Sequence, residues 1–171
     1  MKKILVLVFV IVAALSVKAQ VYVGGSVGLW HNSDADFTSY NIAPEVGYGF
    51  NDNMAVGAIL GFTRVSLDKN LSAKAFYFAP YFRYFFYETK VIRLFAEAGI
   101  GLSTVKEKYE DSDSGFEIGL RPGLAIKLSD NFSLVGKVGF LGYRDDYALG
   151  NDGYGFRFSG EDITFGFYYT F

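Results

Sequence analysis

Few residues in this chain have both the type and the spacing to do chemistry. The single histidine, His31, stands close to Ser33 and Asp34. A serine nucleophile needs a base within hydrogen-bond reach, and a strand end would permit that at this spacing. A lone histidine beside a serine in a polar loop is more simply loop composition, so no catalytic residue is assigned and no enzyme is expected. Asp111, Ser112 and Asp113, like Asp145 and Asp146, gather carboxylates without the ligand spacing of a metal loop, so neither metal nor cofactor is expected. Gly24-Gly25 and Gly28 lie inside an alternating apolar run, where glycine serves strand packing and does not cradle a phosphate. The net charge is −2 and no basic run occurs, which removes nucleic acid as a partner.

The remaining chemistry is a set of isolated charges embedded in apolar segments. Glu45, Arg83, Arg93, Glu97, Glu117, Arg121, Lys127 and Lys137 each fall among Gly, Ala, Ser and Tyr, on the small-residue phase of an alternating run. Such alternation puts successive side chains on opposite faces of a strand. In Ile163 to Phe171 every odd position is Ile, Phe or Tyr, and in Val21 to Trp30 the odd positions are Val, Gly and Leu. Tyr40 to Phe50, Met54 to Phe62, Phe76 to Phe86, Ile92 to Leu102, Phe116 to Leu128 and Phe132 to Phe140 place their bulky residues at even positions. These make eight strands, an even number, as closed antiparallel membrane barrels use.

The connections alternate in length. Asn51-Asp52-Asn53, Tyr87 to Lys90 and Ser129-Asp130-Asn131 read as tight polar turns. The longer stretches near His31 to Ser39, Val65 to Ser72, Val105 to Gly115 and Arg144 to Asp162 read as loops. Short turns on one side and long loops on the other are the asymmetry of an outer-membrane barrel. Ahead of them, Lys2 and Lys3 precede an apolar run from Ile4 to Leu15, and Val17-Lys18-Ala19 supplies small residues. Residues 1–19 read as a secretory signal peptide and 20–171 as the barrel, since a membrane-spanning helix needs about 20 apolar residues. There is no cysteine, so no disulfide supports the exported chain.

The faces decide what each side meets. A water-filled exterior would require a hydrophilic face, and neither face is one; an eight-stranded interior has room only for modest side chains. The bulky face must therefore look at lipid and the small face at the lumen. The eight inward charges carry both signs, and buried charges persist only when paired, so a salt-bridge network filling the lumen is expected, with Tyr77, Tyr81 and Phe95 narrowing it further. Continuing the lipid-facing phase beyond the apolar band places Arg64, Lys74, Lys106 and Arg144 at the loop ends of their strands. A basic belt there would meet lipopolysaccharide phosphates.

The leader, the eight alternating segments, the loop asymmetry and the terminal aromatics ending at Phe171 resemble small outer-membrane β-barrels of the OmpA/OmpX type. The resemblance covers the whole of 20–171 and implies an all-β, eight-stranded antiparallel transmembrane barrel in the bacterial outer membrane, a monomer contacting lipid and lipopolysaccharide. It further implies that Phe167, Tyr169 and Phe171 form the signal read by the barrel-assembly machinery, with the last strand closing on Val21 to Trp30. The role read from this is structural or interactive, through the loops. The alternatives are a small-solute or ion channel, and a lipid-modifying enzyme centred on His31.

Overall fold

A computed structural model describes residues 20–32, 37–67, 71–107, 112–150, 152–158 and 163–171. The expected signal peptide, Ser33, Asp34 and Asp111 lie outside the described residues. Among the described residues there are ten strands: β1 (Gln20–Asn32), β2 (Phe37–Gly49), β3 (Met54–Leu67), β4 (Leu71–Glu88), β5 (Ile92–Glu107), β6 (Ser112–Lys127), β7 (Phe132–Lys137), β8 (Phe140–Asp145), β9 (Gly153–Arg157) and β10 (Thr164–Thr170). Consecutive strands pair antiparallel from β1 to β7, and β10 bridges β7 to β1, closing a barrel of eight staves. Pairing along these ladders satisfies the backbone polar groups, as a strand in lipid requires, although β10 pairs with β1 only at Tyr22 to Gly25 among the described residues.

The seventh stave is broken. β6 pairs with β7 along Gly123 to Lys127 and with β8 along Phe116 to Leu120. The break falls at Val138 and Gly139, where Val138 N–H donates to Pro122 O at 2.9 Å and Gly139 takes φ 68°, a left-handed conformation that glycine adopts without penalty. The phase of the strand flips there. Val135 and Lys137 point inward before the break, whereas Phe140 and Arg144 do so after it. The uninterrupted alternation expected for Phe132 to Phe140, with Phe140 outward, is corrected by this flip.

The strands run further than their apolar cores. β4 begins at Leu71 where Phe76 was expected, and β6 at Ser112 where Phe116 was expected. Ladder hydrogen bonds do not depend on an apolar face, so pairing continues into the polar residues above the membrane. For the same reason the fourth loop contains the end of β8 and all of β9.

The tight turns are built by their first polar side chain. Asn51 Oδ1 accepts from the backbone N–H of Asn53 and Met54, both at 2.9 Å. Thr89 Oγ1 accepts from Ile92 N–H at 2.9 Å, and Ser129 Oγ from Phe132 N–H at 3.1 Å. These contacts mimic a backbone turn and set the register of the strands that follow.

Inside, aromatic rings lie across glycines directly opposite them: Tyr22 over Gly47, Tyr77 over Gly61, Tyr81 over Gly57, Phe95 over Gly123 and Tyr168 over Gly24. A Cβ on any of these glycines would enter the ring. These glycines on the inward phase thus receive the rings that narrow the lumen.

Candidate functional site

The inward charges form three layers. At the centre, Arg83 on β4 donates from Nη2 to Glu45 Oε1 on β2 at 2.8 Å, to Glu97 Oε2 on β5 at 2.7 Å and to Tyr168 OH on β10 at 2.9 Å. Lys137 on β7 donates to Glu45 at 3.1 Å and Glu97 at 3.2 Å. Tyr168 OH donates to Glu45 at 2.6 Å, Tyr81 OH also donates to Glu45, and the Tyr22 and Tyr81 hydroxyls are 2.7 Å apart. Two cations meet two carboxylates, so the layer is neutral. Arg83 is 1% exposed and Glu97 2%. Rings of Tyr22, Tyr81, Phe95 and Tyr168 surround the Arg83 guanidinium within 5.5 Å, which adds cation–π attraction in a dry site.

Below it, Phe85 and Phe95 meet edge to face at 5.6 Å and join Tyr22, Ala55, Ala125, Val135 and Tyr168 in one apolar cluster. At the turn-side rim Lys127 donates to Glu88 at 2.9 Å. Arg93 Nε lies 3.0 Å from Glu88 without the alignment of a hydrogen bond, and its Nη2 donates to the Asp52 carbonyl. Arg93 and Lys127 therefore stand apart from the central network.

Above it, Glu117 accepts from Arg121 four residues along β6, and from Arg144 on β8 at 2.7 Å. Phe140 lies between the two guanidinium groups, with its ring 4.3 Å from Arg144 and 5.0 Å from Arg121. Arg144 was expected on the lipid face; the phase flip at Gly139 turns it into the lumen. A cavity of about 430 Å³ separates this cluster from the central layer. Tyr147 roofs it, 5% exposed and 5.8 Å from the Tyr77 ring. Asp146, Ala148 and Leu149 all adopt left-handed backbone, and Ser103 Oγ accepts Ala148 N–H at 3.0 Å to hold the turn.

On the outer face Arg64, Lys74 and Lys106 form one cross-strand row, Arg64 opposite Lys74 and Lys74 opposite Lys106. On the closing strand, Phe167 pairs with Gly25 and Tyr169 with Val23, while Phe171 N–H donates to Val21 O at 3.0 Å. Pairing with β1 stops at Gly25, short of the expected Trp30. His31 pairs through its backbone with Thr38, and its side chain is outside the described residues. Among the described residues no three His, Asp or Glu side chains converge as a metal site. The roles of Tyr22, Tyr168 and Tyr147 were missed, although the alternation had already put the first two on the inward phase.

A closed barrel with lipid-facing apolar side chains and a lumen of paired charges defines an integral outer-membrane protein of the small eight-stranded class. The family model described as outer membrane protein beta-barrel domain matches residues 4–171, and the chain belongs to that family. Among solved structures the chain is similar to Neisserial surface protein A, at 14% identity and TM-score 0.53, over 90% of this chain and 96% of that one. It is also similar to the Yersinia pestis outer membrane protein Ail, at 17% identity and TM-score 0.49, over 90% of this chain and 99% of that one. No curated protein sequence matches. The protein is an OmpA/OmpX-type barrel of the bacterial outer membrane, with short periplasmic turns and long extracellular loops.

Proposed function

We propose that this barrel is a surface-interaction protein, a closed scaffold that presents its extracellular loops to partners outside the cell. The observation that carries this reading is the neutral, nearly solvent-free layer of Arg83, Glu45, Glu97 and Lys137, seated on Phe85 and Phe95. A solute crossing the lumen would have to separate ion pairs buried from water, which costs several kcal/mol per ion (about 3–5 kcal/mol for a single removed partner). The lumen therefore acts as a plug. Purified protein in planar bilayers should give no discrete openings; steady single-channel conductance would instead establish the channel alternative. Replacement of the loops by short glycine-serine connections should abolish cell-surface adhesion while leaving the barrel folded.

The row of Arg64, Lys74 and Lys106 serves as the lipopolysaccharide contact. Like charges directly opposite each other destabilise a sheet, and none of the three has a carboxylate partner among the described residues. Phosphates of the outer leaflet would supply the missing anions. Arg144 drops out of the belt because it bonds Glu117. Changing the three cations to Gln should reduce co-purifying lipopolysaccharide, and an unchanged amount would remove this part of the reading. Phe167, Tyr169 and Phe171 serve as the assembly signal, and the barrel acts as a monomer.

A further inference from the structure

Above Gly25 the junction between the first and last staves is unpaired among the described residues. Among the described residues β10 pairs with β1 only at Tyr22 to Gly25, whereas β1 continues to pair with β2 as far as Asn32. Among the described residues β9, which continues the last stave in sequence, pairs with β8 alone. Between the pairs Lys137–Thr164 and Phe140–Arg157 one stave advances three residues and the other seven. Exposure records the missing neighbour: Val27 and Leu29 are 80% and 77% exposed, against 51% for Ile42 and 48% for Leu60 on fully paired strands.

Both edges of this seam line the upper lumen cavity, Ser26 from β1 and Thr164 and Gly166 from β10. Arg121, Lys137 and Arg144 face the same cavity. Lys137 is balanced within the central layer. Arg121 and Arg144, two cations, share the one carboxylate of Glu117, and Arg157 also lines the cavity.

We propose that the seam between β1 and β10 is a lateral entrance by which a single-chain anionic amphiphile, with a carboxylate or phosphate head, binds from the outer leaflet. The head sits in the cavity against Arg121 and Arg144 and supplies the anion their cluster lacks. The chain leaves between Val27 and Phe165 and stays in the bilayer. A cavity of 430 Å³ holds a head and its first few methylenes and is too small for a whole lipid. This site is separate from the loops and from the outer basic row, so it stands or falls independently of the surface-interaction reading.

The test uses the full barrel in phosphatidylcholine nanodiscs and reads quenching of Trp30, the one tryptophan, which lies on the same stretch of β1. Dibrominated stearate should quench saturably at equimolar probe, and its methyl ester should not. A dibrominated lysophosphatidic acid distinguishes a phosphate head from a carboxylate, and whichever quenches at the lower concentration names the source. Arg121→Gln keeps Arg144 on Glu117 and should weaken binding about tenfold, as loss of one charge-assisted contact does, with the heat-modifiable gel shift confirming a folded barrel. Continuing the Gly25–Phe167 register puts Val27 across from Phe165, so Val27→Cys with Phe165→Cys sets the only two thiols on the two sides of the seam, and oxidation should abolish saturable quenching that reduction restores. Quenching by the ester equal to that by the acid, or binding indifferent to both Arg121→Gln and the closed seam, would overturn the proposal. An interchain disulfide from Val27→Cys alone, formed in proportion to protein concentration, would overturn it in favour of a second copy pairing with this edge.

Discussion

Tyr168 on the last strand donates to Glu45 on the second at 2.6 Å, joining residues 123 positions apart in the chain. β1 lies between their strands in the wall, so the bond passes inside it and fastens the closing strand to a neighbour it does not pair with. The central layer thus ties the closing strand to the second strand across the lumen.

Loss of the central cation should be severe. Arg83→Met leaves Glu45 with only Lys137 as a charged partner and should cost about 3–5 kcal/mol in urea unfolding from lipid vesicles. Adding Glu97→Gln should recover part of that loss, because the orphaned charge is removed. A cost below about 1 kcal/mol, the level of solvent-exposed pairs, would show that water reaches the layer.

The ring-over-glycine packing predicts a clash and its relief. Gly61→Val drives a side chain into the Tyr77 ring and should lower the thermal midpoint of the heat-modifiable band by several degrees. Tyr77→Ala in the same chain should restore much of the loss, although alone it is also destabilising. Equal midpoints for Gly61→Val with and without Tyr77→Ala would contradict the packing.

Phe171 is 73% exposed, donates its N–H to Val21 O and meets the Tyr169 ring edge to face at 5.0 Å, while burying little else. Phe171→Asp should nevertheless cut outer-membrane yield several-fold while periplasmic export continues, if the terminal aromatics act during assembly. Wild-type yield for this variant would place the signal elsewhere.

Asp146 is exposed in the extracellular turn, where the negative charges of Asp152, Asp145 and Asp113 raise its pKa above the ordinary aspartate value. A raised carboxyl stabilises the folded turn fully below its unfolded pKa and loses that contribution as pH rises through the folded value. Carbon-detected NMR titration should find the elevated midpoint, and Asp152→Asn should bring it down. A midpoint unmoved by Asp152→Asn would mean that a different carboxylate dominates.

The alternation of Phe76 to Phe86 and Ile92 to Leu102 was enough to put Arg83, Glu97, Tyr81 and Phe95 on the inner face, because period-two geometry is local to a strand. The same local logic assigned Arg144 to lipid and failed, since one glycine at position 139 inverted the phase between β7 and β8. No pattern within Phe132 to Phe140 marks that inversion; it follows from how β8 meets β6 and β9. Arg93 and Lys127, expected in the lumen network, instead meet Glu88 at the turn-side rim, a residue of the turn segment that alternation does not reach.

By itself the sequence determined the compartment, the eight-stave wall and, outside the broken seventh stave, which side chains face inward, all consequences of side-chain alternation and turn chemistry acting over a few residues. Only the tertiary structure decided which inward charges meet, where the cavity lies and where the wall is unpaired. Those depend on the stagger between strands brought together from distant parts of the chain, and a one-residue change of phase or a four-residue surplus in one stave alters each of them without disturbing the pattern from which the wall is read.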